Sequence, residues 1–224
     1  MTLSLFWQYY NEQIIMELLQ HLKIILVSIP IAILISIPLG FYISSRPKIA
    51  RYVISVTSVL MTIPSLALYG IMVAVYSLIN QGLGIVPAAT AIIIYSLLPI
   101  TRNTYLALNQ VNPEMIDAAI GIGMSKRRIL WEIKVPLSIP TIMAGIRIAI
   151  VMSVGVATFA YLIAAGGLGF FIFAGIGRAN YVMIGVGAFL ISLLGTGFNF
   201  LFLKIEDLIT PKGLKVKKQR LNSE

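Results

Sequence analysis

The chain has 224 residues, 58% of them apolar and only 11% charged, with a mean hydropathy of +0.94 and a net charge of +9. That composition excludes a soluble globular domain and predicts an integral membrane protein. There is no cysteine and one histidine, His21, which rules out a disulfide framework, thiolate chemistry and a multi-histidine metal site.

A bilayer core about 30 Å thick takes roughly 20 apolar residues per helical crossing. The apolar runs here have that length, unlike the short alternating segments of a transmembrane barrel. Residues 1–20 carry Phe6, Trp7, Tyr9 and Tyr10 beside Glu12 and Glu17. They read as an extracytoplasmic aromatic segment at the membrane interface or as a loosely held terminus. They lack a basic start and a small-residue cleavage site, so the first span itself is expected to direct insertion. That span covers residues 22–43 and ends at Arg46, Pro47, Lys48 and Arg51.

The second run covers about 52–79 and contains Pro64, which lets it tilt as one helix or break into two. Residues 81–84 read as a tight turn, with Gly82 and Gly84 supplying positive φ. A third run at 86–101 continues as helix to Ala107. The fourth and fifth spans are expected at about 141–163 and 181–203, with a glycine-rich stretch, 164–180, between them. The fold class is therefore an all-α integral membrane protein with five transmembrane helices, or six if the second run splits.

Five crossings put the ends on opposite sides of the membrane, and lysine and arginine mark the cytoplasmic side. Arg46, Lys48, Arg51, Arg102, Lys126, Arg127, Arg128, Lys134 and the basic residues from Lys204 to Arg220 fall on one side. Only Lys23 and Arg178 fall on the other, which predicts the N-terminus outside and the C-terminus in the cytoplasm. The basic residues lie beside spans rather than on an aromatic or β platform, which argues against a nucleic-acid partner.

Transport driven by protons or sodium usually requires an ionisable group inside the membrane. On the boundaries above, Glu12, Glu17, Glu114, Asp117, Glu132, Glu206, Asp207 and Glu224 all fall in loops or termini. No Gly-x-x-x-x-Gly-Lys-Ser/Thr phosphate loop is present, so any energy from ATP must enter through a partner.

The polar island between the third and fourth spans suits such a partner. Pro113, with Glu114 and Asp117 behind it, opens a short helix. Ala118 and Ala119 give it a small face that another protein can approach, and Gly121 or Gly123 ends it. Ser125 caps a second helix, 126–133, which Val135 and Pro136 stop before Pro140 opens the fourth span. In the fourth span Gly145, Ala149, Ser153 and Ala157 recur every four residues, as do Ala188, Ser192 and Thr196 in the fifth. Both faces are expected to pack helices within the chain, ahead of a subunit interface. Arg147 is expected to snorkel or to meet a carbonyl, a structural role rather than a substrate contact. The glycine-rich stretch reads as an outer gate or re-entrant turn, or as a plain external loop.

Asp117, Ala118, Ala119, Gly123, Ile133 and Pro136 stand at the spacings of the Glu-Ala-Ala coupling motif of ATP-binding-cassette import permeases, which this stretch resembles. Asp117 and Val135 depart from it conservatively. Thr62-Ile63-Pro64-Ser65-Leu66-Ala67-Leu68, together with residues 144–149 and Gly166-Gly167-Leu168-Gly169, is similar to permeases for the osmoprotectants glycine betaine, carnitine and choline. Methionine permeases share the coupling stretch and the Gly-Gly-Leu-Gly segment and are the nearest alternative; a different class of alternative is an ion-coupled secondary carrier.

The resemblance implies a transport domain at 21–204 with a cytoplasmic helix-turn-helix coupling loop at 112–140, followed by a basic cytoplasmic tail at 205–224. It implies a bacterial inner-membrane location, no cofactor or metal, and no catalysis by this chain. Its expected partners are cytoplasmic ATP-binding subunits, a second permease subunit of the same or a related chain, an extracytoplasmic substrate-binding protein, and membrane lipid. The resemblance makes Ala118 and Ala119 the contact face, Gly123 the turn, and Ile133 and Pro136 the anchor to the membrane domain. Pro64, Ser65, Gly166, Gly167 and Gly169 become the expected pathway or gate.

Overall fold

A computed structural model describes residues 3–211, and the basic tail from Lys212 onward lies outside them. Helix α1, Leu3–Ser44, is unbroken despite Pro30 and Pro38. At 1.5 Å per residue its 42 residues reach about 63 Å, twice the thickness of a bilayer core. The expected interfacial segment is thus the first turns of the same rod, and the helix has no boundary near residue 21. Two of its aromatic residues pack inward: Phe6 is buried, stacks on Tyr10 at 5.0 Å and meets Phe171 edge-on at 5.9 Å, whereas Trp7 and Tyr9 are exposed.

The second run divides into α2, Pro47–Thr62, and α3, Ser65–Ser77, which meet at 99°. Pro64 has no N–H to continue a helix, and the extended backbone at Ile63 turns the chain. A freed carbonyl at such a break needs a donor where water is scarce, and the Tyr95 hydroxyl donates to Ile63 O. In the following turn Asn80 (φ +59°) and Gly84 (φ +97°) take left-handed conformations, whereas Gly82 does not. Gly82 is needed for proximity instead, since a Cβ there would lie 2.9 Å from the Val73 carbonyl oxygen.

Helix α4, Ile85–Asn109, is the most buried span and packs on both α1 and α7, Val135–Ala157. Its contact with α1 is close because Gly40 leaves room for Thr104; a Cβ on Gly40 would lie 2.5 Å from Thr104 Cβ. Against α7 the four-residue repeat works as expected. Gly145, Ala149, Ser153 and Ala157 are all buried, and Ser153 lies 3.3 Å from Ser96 of α4 across the interface. The core consists of Ile24, Ile25 and Ala32 of α1, Ala88, Ile92 and Ile100 of α4, and Ile146, Ile150 and Val154 of α7.

Between α4 and α7 lie two short helices, α5, Pro113–Gly121, and α6, Lys126–Ile129. Helix α6 does not stop at Val135 and Pro136. A π-helical turn, Leu130–Lys134, carries the chain directly into α7, so residues 126–163 form one continuous helical stretch. Proline stops a regular helix by removing an N–H and crowding the turn before it, but here Pro136 follows a wider π-helical turn, in which the Val135 N–H reaches back to Leu130 O. Helix α7 tightens into a 3₁₀ turn, Thr158–Ile163, ahead of the short α8, Gly169–Gly177, and the long α9, Tyr181–Ile209.

Helix α9 is poorly covered by its own chain. The side expected to pack inward, Ala188, Ser192 and Thr196, faces out, and Met183, Gly187 and Gly195 are buried instead. Both sets recur at helical spacing, and only the neighbours choose between them. Among the described residues four helices are long and apolar enough to cross a membrane, and the bent pair α2–α3 makes a fifth when its two arms are taken as one span.

Candidate functional site: two ends of a helical bundle

The expected site residues fall at opposite ends of the bundle. At one end is the α5–α6 unit. Asn112 caps α5 by accepting the Glu114 N–H at 2.9 Å, and Ser125 caps α6 by accepting the Arg128 N–H at 3.3 Å. Gly123 holds the turn between them at φ +82°, a conformation that favours glycine. The Asn112 cap was not read from the sequence, although an Asn immediately before Pro-Glu is a helix-start signal.

Asp117 and Ala118 are exposed, but Ala119 is only 4% exposed and so cannot form an open contact face. The exposed apolar side instead comprises Met115, Ala118 and Ile122, at i, i+3 and i+7. Ile133 and Pro136 are half-buried in the continuous helix that joins the unit to α7. Trp131 reaches back to α1 and stacks on Phe41, with ring centroids 6.2 Å apart.

At the other end is the glycine turn. Gly166 (φ +76°) and Gly167 (φ +101°) are left-handed, as is Ala164 (φ +60°). A Cβ on Gly169 would lie 1.9 Å from the Thr158 carbonyl oxygen, so the turn is closed by backbone packed on backbone. Sequence reasoning placed all the carboxylates outside the membrane helices, and the structure corrects this. Glu12 and Glu17 lie in α1, and Glu206 and Asp207 in α9. Glu17 is buried and accepts the Gly167 N–H at 2.7 Å.

Glu206 is also buried, and it lies 3.7 Å from Arg147. Arg147 therefore meets a carboxylate rather than the expected carbonyl, a contact between α7 and α9. A buried acid facing a part-exposed base leaves little signal in a sequence when the two are 59 positions apart.

Pro64 and Ser65 stand at the bend of the broken span, Pro64 exposed and Ser65 half-buried. One helical turn beyond, Tyr69 is fully buried and donates to Val156 O at 3.3 Å, which ties the broken span to the end of α7. Among the described residues no group of three or more histidine or carboxylate side chains could hold a metal ion.

Comparison with known proteins agrees with this architecture. The family described as "Binding-protein-dependent transport system inner membrane component" matches residues 28–213. The osmoprotectant import permease protein OsmW of Salmonella typhimurium is 41% identical over 196 residues, covering 88% of this chain and 91% of the relative. The carnitine transport permease protein OpuCB of Listeria monocytogenes is 36% identical, covering 94% of each chain. Among solved structures, the inward-facing MetNI methionine ABC transporter has a similar fold, with a TM-score of 0.79 at 20% identity over 94% of this chain and all of that one. This helical bundle, which is not itself an enzyme and leaves ATP hydrolysis to a separate subunit, belongs to the binding-protein-dependent transport system inner membrane components, the permease family of ATP-binding-cassette importers.

Proposed function

We propose that this chain forms the translocation pathway of an importer for a quaternary ammonium osmoprotectant, glycine betaine, carnitine or choline. The relatives that import osmoprotectants and carnitine, matched along nearly the whole chain, support that substrate class over methionine. The α5–α6 unit is the piece that docks on the ATP-binding subunit. The observation that carries this assignment is an apolar face left open at the basic end of the bundle. Met115 is 45% exposed and Ile122 is 80% exposed, and in water such a patch calls for a protein partner.

On this reading Ala118, Met115 and Ile122 make the contact and Gly123 sets the angle of the unit. Ile133 and Pro136 pass the movement into α7 through unbroken helix. The N-terminus lies outside and the C-terminus inside, as the lysine and arginine distribution indicates. The glycine turn at Gly166, Gly167 and Gly169 then lies at the outer mouth as a gate, with the bend at Pro64 and Ser65 lining the pathway below it. Helix α9 exposes Ala188, Ser192 and Thr196 to a second permease subunit, against which small residues allow close approach. The remaining outer face meets lipid, and an extracytoplasmic binding protein delivers the solute.

The test is reconstitution of the chain with its ATP-binding subunit and binding protein in proteoliposomes. ATP-driven uptake of betaine, carnitine or choline is the expected result. Uptake driven by an ion gradient without ATP would instead make the chain a secondary carrier. Uptake of methionine but none of the three osmoprotectants would leave the machine standing and replace its cargo.

A further inference from the structure

Glu17 and His21 are one turn apart on α1 and both are buried, where an ionisable side chain is costly to keep. Their polar atoms are satisfied almost entirely by the glycine turn and the end of α7. Glu17 Oε2 accepts the Gly167 N–H at 2.7 Å, and its Oε1 accepts from Gln13 Nε2 at 3.3 Å. His21 Nδ1 accepts the Leu168 N–H at 3.2 Å. A ring nitrogen that accepts is unprotonated, so Nε2 carries the proton and donates to Val154 O at 3.2 Å. Two adjacent backbone N–H groups of the turn are thus held by two side chains of α1.

The turn in turn has the shape of those side chains. A Cβ on Gly166 would lie 2.0 Å from Gln20 Oε1, and one on Gly167 would lie 3.1 Å from His21 Nδ1. Opening this contact would break two hydrogen bonds to buried side chains at once, which is costly for each group left unpaired. The clasp is therefore built to stay shut.

The same helix touches the other end of the molecule, where Phe41 stacks on Trp131 in the π-helical turn that follows α6. Glu17 and Phe41 are 24 residues apart on one continuous helix, a separation of about 36 Å. We propose that α1 is a transmission strut: Glu17 and His21 are positioning residues that fix the glycine turn to α1, so that movement of the docking unit, received at Phe41, reaches the turn as rigid-body displacement. This rests on the assignments above of a docking unit at α5–α6 and a gate at the glycine turn.

The chain has no cysteine, which makes a crosslinking test clean. Gln20 of α1 and Ala164 of the turn line one cavity of about 310 Å³. In the reconstituted importer, Gln20→Cys with Ala164→Cys, bridged by a short reducible bifunctional thiol reagent, should import solute as well as the unbridged variant. Loss of uptake that reduction restores would show that the two parts separate during the cycle, and would overturn the strut. Glu17→Leu provides the second arm. It should leave ATP hydrolysis in place while solute imported per ATP falls about tenfold, within the usual range of coupling between sites. Glu17→Gln keeps an acceptor for Gly167 and should restore most of that ratio.

A proportional fall of hydrolysis and uptake in Glu17→Leu, with the ratio unchanged, would reduce the clasp to a structural contact and defeat the proposal. If the unaltered chain shows no ATP-driven uptake, it is the functional reading that fails rather than the strut.

Discussion

The two ends of the bundle are held by opposite means. At the glycine turn, backbone N–H groups are gripped by buried side chains more than 140 positions away in sequence, and glycines are required because other atoms occupy the space of a Cβ. At the α5–α6 unit the caps are local, from Asn112 and Ser125, and a Cβ on Gly121 or Gly123 would meet nothing within 4 Å. One end is finished within the chain, whereas the other presents unfilled space and uncovered apolar side chains. A region that contains its own partners can be a fixed part of a machine. A region that lacks them is built for something outside the chain.

The largest effect is expected where the closed end is tightest. Gly169→Ala sets a methyl 1.9 Å from the Thr158 carbonyl oxygen, and no rotamer relieves a clash of backbone with backbone. Overpacking costs about 1–3 kcal/mol where side chains can yield, and here they cannot. The variant should lose most of its folded yield in detergent, read as a monodisperse peak on size-exclusion chromatography. A variant as stable as the parent would show that the turn is loose and erase the contrast between the ends.

The next effect tests whether buried charge is as binding elsewhere as at Glu17. The Arg147–Glu206 contact joins a buried carboxylate to a guanidinium that is 26% exposed, so removing either member should cost about 1–3 kcal/mol. Arg147→Met and Glu206→Leu should each lower the Tm, and the double variant should lose less than the two single losses added, because both remove the same contact. Additive losses would mean that the two groups do not depend on each other.

At the open end the sharpest comparison is between neighbours. Ala118→Arg projects from an exposed position and should leave the Tm unchanged while abolishing co-purification of the ATP-binding subunit. Ala119→Arg must force a long charged side chain into a buried site and should lower the Tm as well. Full co-purification with Ala118→Arg would move the docking surface elsewhere.

What the sequence reveals follows the same division. The crossings were legible because their apolar runs exceed what any loop would hold, and the α5–α6 unit was legible because Pro113, Gly123 and Ser125 act within a few residues of themselves. The clasp was not legible. Glu17 and His21 look like flanking polar residues until α1 is seen to run on through them, and their partners are backbone groups, which no side-chain pattern encodes. Pro136 misled because a proline signals a stop, and the π-helical turn that carries the chain past it has no signature of its own. The packing face of α9 misled because small residues line two of its sides, and only α7 and α8 select Gly187 and Gly195. At Pro64 the sequence left one tilted helix and two pieces equally open, and the break is sealed by Tyr95 donating to Ile63 O from another helix, a partner that no local pattern marks.

The smallest effect separates two glycines two positions apart. Gly121 is the last residue of α5 and takes no positive φ, whereas Gly123 stands at φ +82°. Neither is crowded, so a methyl at each position acts through the backbone alone. Gly121→Ala should stabilise the unit slightly, by about 0.5 kcal/mol, because alanine has less freedom to lose on entering a helix. Gly123→Ala should destabilise it by about 1 kcal/mol, the cost of a left-handed conformation with a Cβ. Amide hydrogen exchange across residues 113–129 would read both changes locally, with protection rising in the first variant and falling in the second. If docking requires the angle set by Gly123, the second variant should also bind the ATP-binding subunit more weakly, while the first should bind at least as well. Equal changes in exchange would mean that the turn at Gly123 is not held at the observed φ, and that the partner, rather than the chain, sets the angle of the open end.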